Sequence, residues 1–256
     1  MYFKICMELV GLLVLLMGPV RGAEGQDEGK MSTGDDKTDA MMVELQGLSK
    51  EAEACVAHMT TVIRVMDQVL TLEANTAFKR PNLMRIDTVQ GETVVSRRLS
   101  DGGLMWNYDK EEKIATKVNL GRVYRTTKLE ADGDQPDPLR PFRGLEWKTI
   151  RYQGQEPLDG KLYRVFEANP VPNMLHAQLP EPPVKVQIYV DANDGLLRIS
   201  KLLDGAGNEI LSLRFKNLTL NPKLEGKSFE FLIPSGAHVM DATDDLVQLF
   251  KTLGEK

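Results

Sequence analysis

The residues that could do covalent chemistry are few and scattered. The chain holds three histidines, His58, His176 and His238, on distant segments, and two cysteines, Cys6 and Cys55. A hydrolytic site needs a nucleophile, a base and an orienting group within hydrogen-bond reach. No spacing here brings such a set together: neither G-x-S-x-G nor H-E-x-x-H occurs. Gly144-Leu145-Glu146-Trp147 and Ser100-Asp101-Gly102 match no nucleophile elbow, and no Cys/His pair has metal-ligand spacing. Acidic pairs such as Asp36/Asp39 and Asp132/Asp134 stand in polar stretches where solvation accounts for them. The sequence reads as that of a protein that is not an enzyme and uses neither cofactor nor metal.

One charged residue is placed against its surroundings. Leu70, Leu72, Ala74, Thr76 and Phe78 share one parity of a period-two stretch, and Arg80 continues that parity where a hydrophobe belongs. On this parity the one charged residue of the stretch faces the apolar side. The other reading is a strand-end arginine that reaches back to solvent. Pro81 follows; it lacks an N–H and drives Arg80 towards extended geometry, so one strand ends there and another restarts. About twenty residues on, Ser100-Asp101-Gly102-Gly103 makes a turn feeding a strand that carries Trp106 and Tyr108 on one face.

The elements that must position these residues follow from patterning. Lys4, the apolar run Leu9 to Val20 with Gly18-Pro19 near its end, and small residues at Gly22 and Ala23 form a secretory signal peptide. Residues 1–23 are therefore expected to be removed near Gly22/Ala23, with Met1 or Met7 as the start. Hydrophobic content of 42%, charge of 27% and a net charge of −5, without a basic block, give no electrostatic footprint for nucleic acid. Past the signal only Cys55 remains, so no intramolecular disulfide is expected. Asn217-Leu218-Thr219 matches a glycosylation sequon, of a kind that arises by chance.

Residues 24–37 read as a flexible lead and 38–256 as a single domain. A helix is predicted from Thr38 to Val56, with Met41, Leu45, Leu48, Ala52 and Cys55 as its apolar stripe. Strands follow every eight to twelve residues, near 59–66, 70–79, 83–90, 92–99, 104–109 and 113–120. They resume near 147–154, 161–168, 184–190 and 197–203, and the alternation continues through Leu211, Leu213 and Phe215 and through Phe229, Phe231 and Ile233. The alternation stops over two inserts, 121–147 and 169–183. A closing helix, Thr243 to Leu253, carries Leu246, Val247, Phe250 and Leu253 on one side. Short strands with Gly-containing turns predict an antiparallel meander curling on itself.

Three segments, in order, resemble the LolA family of periplasmic lipoprotein carriers. They are Lys79-Arg80-Pro81-Asn82-Leu83-Met84, Ser100-Asp101-Gly102 through Trp106 and Tyr108, and Phe229-Glu230-Phe231-Leu232-Ile233-Pro234-Ser235-Gly236 through Val239. The resemblance spans roughly 38–240 and implies a mainly β fold with covering helices, an incomplete, strongly curved antiparallel β-barrel with a helical lid. It implies a periplasmic monomer that shields acyl chains of lipoproteins, or a related lipid, between an inner-membrane ABC release complex and an outer-membrane acceptor. On this resemblance Arg80 is the latch on the lid. Leu70, Leu72, Phe78, Met84, Ile86, Trp106 and Tyr108 line the cavity, and Met41, Leu45 and Leu48 belong to the lid helix. A LolA-like sensor that binds a membrane protein is the other function it implies. The aromatic content of 6%, both inserts and the amphipathic C-terminal helix depart from the family pattern.

Overall fold

Twelve strands join in one sheet in the computed structural model, which describes residues 32–65, 68–127, 137–171 and 183–254. The expected signal peptide and His176 lie outside these residues. In chain order the strands are β1 (Ala54–Val65), β2 (Gln68–Lys79), β3 (Leu83–Gln90), β4 (Thr93–Ser100), β5 (Leu104–Asp109) and β6 (Ile114–Asn119). After them come β7 (Arg151–Leu158), β8 (Lys161–Ala168), β9 (Lys185–Asp191), β10 (Leu197–Leu203), β11 (Glu209–Leu220) and β12 (His238–Asp241). Their spatial order is β12-β6-β5-β4-β3-β2-β1-β11-β10-β9-β8-β7. Neighbours in sequence pair antiparallel from β1 to β6 and from β7 to β11, and the pairing of β1 with β11 joins the two runs. The added strand β12 runs parallel to β6, a departure from the expected all-antiparallel meander.

The register fixes which side chains share the concave face. Cys55, Phe78, Met84, Ser100, Met105 and Val118 form one row across β1 to β6. Cross-strand partners point to the same side, so the face follows from the pairing alone. Strands β3 and β8 stand six places apart, roughly 30 Å on a flat sheet. Met84 and Phe166 nevertheless belong to one buried cluster, with Ile86, Ile188, Leu211 and Phe215. The sheet therefore curls around this core, and β7 and β12 end it without closing it.

Helix α1 (Asp36–Leu48) enters the concave side. Asp35 caps it, accepting from the Thr38 amide at 2.7 Å, and Asp39 accepts from Ser32 and from Thr33. The polar lead expected to be flexible through residue 37 is therefore structured from Ser32 onward. The helix stops at Ser49, short of the predicted Val56. From Ala54 the chain pairs with β2 on one side and β11 on the other, and two full ladders outweigh the continued helical spacing. Cys55 thus sits in a strand.

Two short helices pack at the far end. Helix α2 (Leu120–Thr127) and helix α3 (Thr243–Gly254) bury Val123, Leu246 and Val247 with Met105 and Val118. The side chains of Phe250 and Leu253 lie outside the described residues. The predicted strand at Phe229, Phe231 and Ile233 is instead a 3-10 turn (Gly226–Phe229) and a strap without ladder bonds. Its proline and its anchors on the outer face take the place of a strand partner: Phe231 stacks on Trp106 at 4.8 Å, and Arg85 donates to the Ser228 carbonyl.

Candidate functional site

The concave face of β1, β2 and β3 is an apolar floor. Phe78, Met84 and Ile86 are buried in it, and Leu70 and Leu72 pack against it half-buried. Phe78 meets Phe215 edge to face at 6.1 Å. Cys55, fully buried there, has its thiol pushed far up by burial, which removes it from thiolate chemistry.

Above this floor lies a segment read from sequence only as loop. Leu139 and Phe142, 2% and 7% exposed, insert into the same cluster, with Phe142 edge to face on Phe166 at 5.0 Å. The segment folds on itself through Asp137, which accepts from the Leu139 amide at 2.9 Å and from Arg140 Nε at 2.9 Å. Arg80 Nη2 donates to the Leu139 carbonyl oxygen at 3.1 Å, while its buried Nε finds no hydrogen-bond partner among the described residues. Arg140 Nη1 donates to Asn82 Oδ1 at 3.0 Å, a second tie to the Pro81 turn. A narrow cleft, with room for little more than a water molecule, separates the two sides. Phe78, Asn82, Leu83 and Met84 line one wall and Asp137, Arg140 and Arg143 the other.

Arg80 is thus turned inward, as its parity predicts, but its bond goes to the 137–143 segment and not to helix α1. That corrects the latch partner implied by the resemblance. A lone apolar pair among prolines, Leu139-Arg140-Pro141-Phe142, was the available signal. It carries no periodicity, so strand and helix patterning passes over it.

Helix α1 is held differently. Leu45 is fully buried, Met41 packs half-buried against the cluster, and Met42 takes the inward position. Leu48 is 45% exposed, a correction to the predicted stripe: with the helix ending at Ser49, the buried face runs through Thr38, Met42 and Leu45. The Thr38 hydroxyl accepts from the Tyr152 amide at 2.9 Å, and Arg164 donates to Glu44 at 3.3 Å. Gly195, at φ +70°, lies so close beneath the helix that a Cβ there would meet the Leu45 carbonyl oxygen at 2.1 Å. Arg198 pins that turn through Asp194 and Asp191.

Trp106 and Tyr108 are not in the interior. Trp106 pairs with Leu99, which pairs with Arg85, on the face opposite Met84. Both rings pack on Phe231 of the outer strap, at 4.8 and 6.1 Å. Alternation showed that the two share a face but could not say which one. Among the described residues no group of histidine, cysteine and acidic side chains could hold a metal ion, and no helix is long and apolar enough to cross a membrane.

No family model matches the chain. It is 23% identical over 211 residues to an uncharacterised protein of Methanocaldococcus jannaschii, covering 80% of this chain and 54% of that protein. The chain therefore spans about half the length of that relative. Among solved structures, an uncharacterised conserved protein from Thermus thermophilus is similar in fold, with a TM-score of 0.53 and 11% identity, covering 80% of this chain and 99% of that one. A LolA superfamily protein from Nitrosomonas europaea gives a TM-score of 0.37 at 10% identity, covering 76% and 97%. The architecture is a mostly antiparallel sheet that curls without closing, with helices against it.

Proposed function

We propose that this chain is an exported, periplasmic carrier that shields the acyl chains of lipoproteins, or of a related lipid, within the curled sheet. One observation carries the reading: the apolar interior is occupied by two side chains of a segment that two arginine bonds tie to the Pro81 turn. A bound acyl chain gains about 0.8 kcal/mol per buried methylene, so a fourteen-carbon chain gains on the order of 10 kcal/mol. Expelling Leu139 and Phe142 costs roughly 5–10 kcal/mol, by analogy with removing such side chains from cores. The two terms nearly offset, which lets a carrier take cargo up and give it away again. The resemblance adds an inner-membrane ABC release complex and an outer-membrane acceptor as partners. Native mass spectrometry of protein isolated without detergent should find a lipid adduct, and lipidated protein should leave vesicles in its presence. A bare mass with no transfer would remove the reading.

A second reading, a sensor domain for a membrane protein, is favoured by one observation. Strand β12 ends the sheet with all four residues exposed, Val239 and Met240 among them. Such an edge accepts an added strand. Capture of one stoichiometric protein partner by chain whose interior is empty would favour it over the carrier.

A further inference from the structure

The two ends of the sheet are built differently. On β7 the Tyr152 amide is taken by the Thr38 hydroxyl, Gly154 sits at a bulge and Pro157 lacks a donor. Such devices keep a further strand from adding to an edge. On β12 none of them is present: residues 238–241 contain no proline, their register with β6 is unbroken, and all four are exposed. Val239 and Met240 leave large apolar side chains there, 42% and 47% exposed.

Pairing with β6 decides which backbone groups stay open. The His238 amide donates to the Lys113 carbonyl at 2.8 Å, and the Ala242 amide to the Lys117 carbonyl at 2.9 Å. Alternate residues of an edge strand turn their backbone inward, so Met240 belongs with these, while Val239 and Asp241 present amide and carbonyl outward. Ala237 continues the outward set with its carbonyl, since its amide already donates to the Pro234 carbonyl at 3.1 Å. The side chains of Val239 and Asp241 share the face of Ala115 and Lys117, and those of His238 and Met240 the face of Ile114 and Thr116.

We propose that β12 pairs antiparallel with β12 of a second copy of this chain, about a two-fold axis at Val239. There Val239 exchanges both backbone bonds with the partner's Val239, and the Asp241 amide donates to the partner's Ala237 carbonyl. Val239 covers Val239 on one face, and Met240 covers the partner's His238 on the other. Charge selects this register. Exposed Lys113 stands level with Ala237 on the neighbouring strand, within a side chain's reach of the partner's Asp241, a residue whose side chain is 52% exposed beside Lys117. An axis at Met240 would set Asp241 against Val239 and away from that lysine, and one at Asp241 would oppose two carboxylates. The pairing does not depend on the carrier reading, takes the edge that the sensor reading gives to another protein, and replaces the monomer that the family resemblance implies.

An edge of this length buries less than a standard interface of about 1,600 Å², so association is expected to be weak, at roughly 10–100 μM. Sedimentation of the mature chain across that range should show a monomer–dimer equilibrium. Val239→Pro should weaken it about tenfold at an unchanged melting temperature, because the Val239 amide takes no part in the ladder with β6. Cross-linking reads the register. His238→Cys mixed with Met240→Cys under mild oxidation should give a mixed disulfide dimer, since such a non-hydrogen-bonded pair lies about 4.5 Å apart at Cα. Each variant alone should link far less, and Cys55, fully buried, stays out of the reaction. A chain that remains monomeric and forms no mixed disulfide overturns the proposal. So does a Val239→Pro variant that dimerises like the parent, or a single cysteine variant that links as readily as the mixture.

Discussion

Replacing Arg80 with leucine tests the proposed latch. In the closed state its Nη2 donates to the Leu139 carbonyl oxygen at 3.1 Å, a charged donor on a neutral acceptor. Such a bond contributes about 1.5–3 kcal/mol, and the low end applies because Arg80 is only partly buried. Its Nε, buried without a partner among the described residues, takes back part of that stabilisation. The closed state should thus lose about 1 kcal/mol net, which is about a fivefold shift between the seated and displaced 137–143 segment. A segment that reseats less readily competes less well with cargo, so cargo should stay about five times longer. The assay is release of a fluorescent acyl probe chased with delipidated albumin, with Arg80→Lys as the partial variant. Global stability should fall by no more than about 1 kcal/mol. Release unchanged within twofold would refute the latch. Faster release would mean that Arg80 holds the cargo and not the segment.

Two further perturbations separate the elements. Gly195→Ala places a Cβ against the Leu45 carbonyl at a left-handed φ, so it should cost more than about 2 kcal/mol. Hydrogen exchange should show the loss concentrated in helix α1. Asp87 receives Arg85 Nη2 at 2.6 Å and Arg97 Nε at 2.7 Å; burial opposes its charge, but these bonds outweigh it and hold the carboxyl below the usual carboxylate range. The stability it contributes is present above the unfolded value near 4 and is lost as pH falls through the depressed folded value. Denaturation midpoints should therefore fall below about pH 4, and Asp87→Asn should cost about 2 kcal/mol at pH 7 while flattening that acid limb.

The strands and their turns were largely legible because a half-buried strand leaves a period-two signature. The parity of Leu70, Leu72, Phe78 and Arg80 pointed inward, and the structure puts them there. What escaped was set by contacts distant in sequence. The end of α1 depends on β1 finding partners on both flanks, which no local window contains. The face carrying Trp106 depends on a register running through β4 to β3. Leu139 and Phe142 are core by insertion and not by periodicity, so residue type alone could not rank them above neighbouring loop.

The most direct test of a lipid interior gated by 137–143 is amide exchange with and without a bound acyl chain. The Leu139 amide is held by Asp137 Oδ1 and the Arg140 amide by the Asp137 carbonyl, both at 2.9 Å. On binding, these amides should lose protection while those of α1 and of strands β1 to β3 keep theirs. Lost protection in α1 with 137–143 unchanged, or no change in either, would contradict the account.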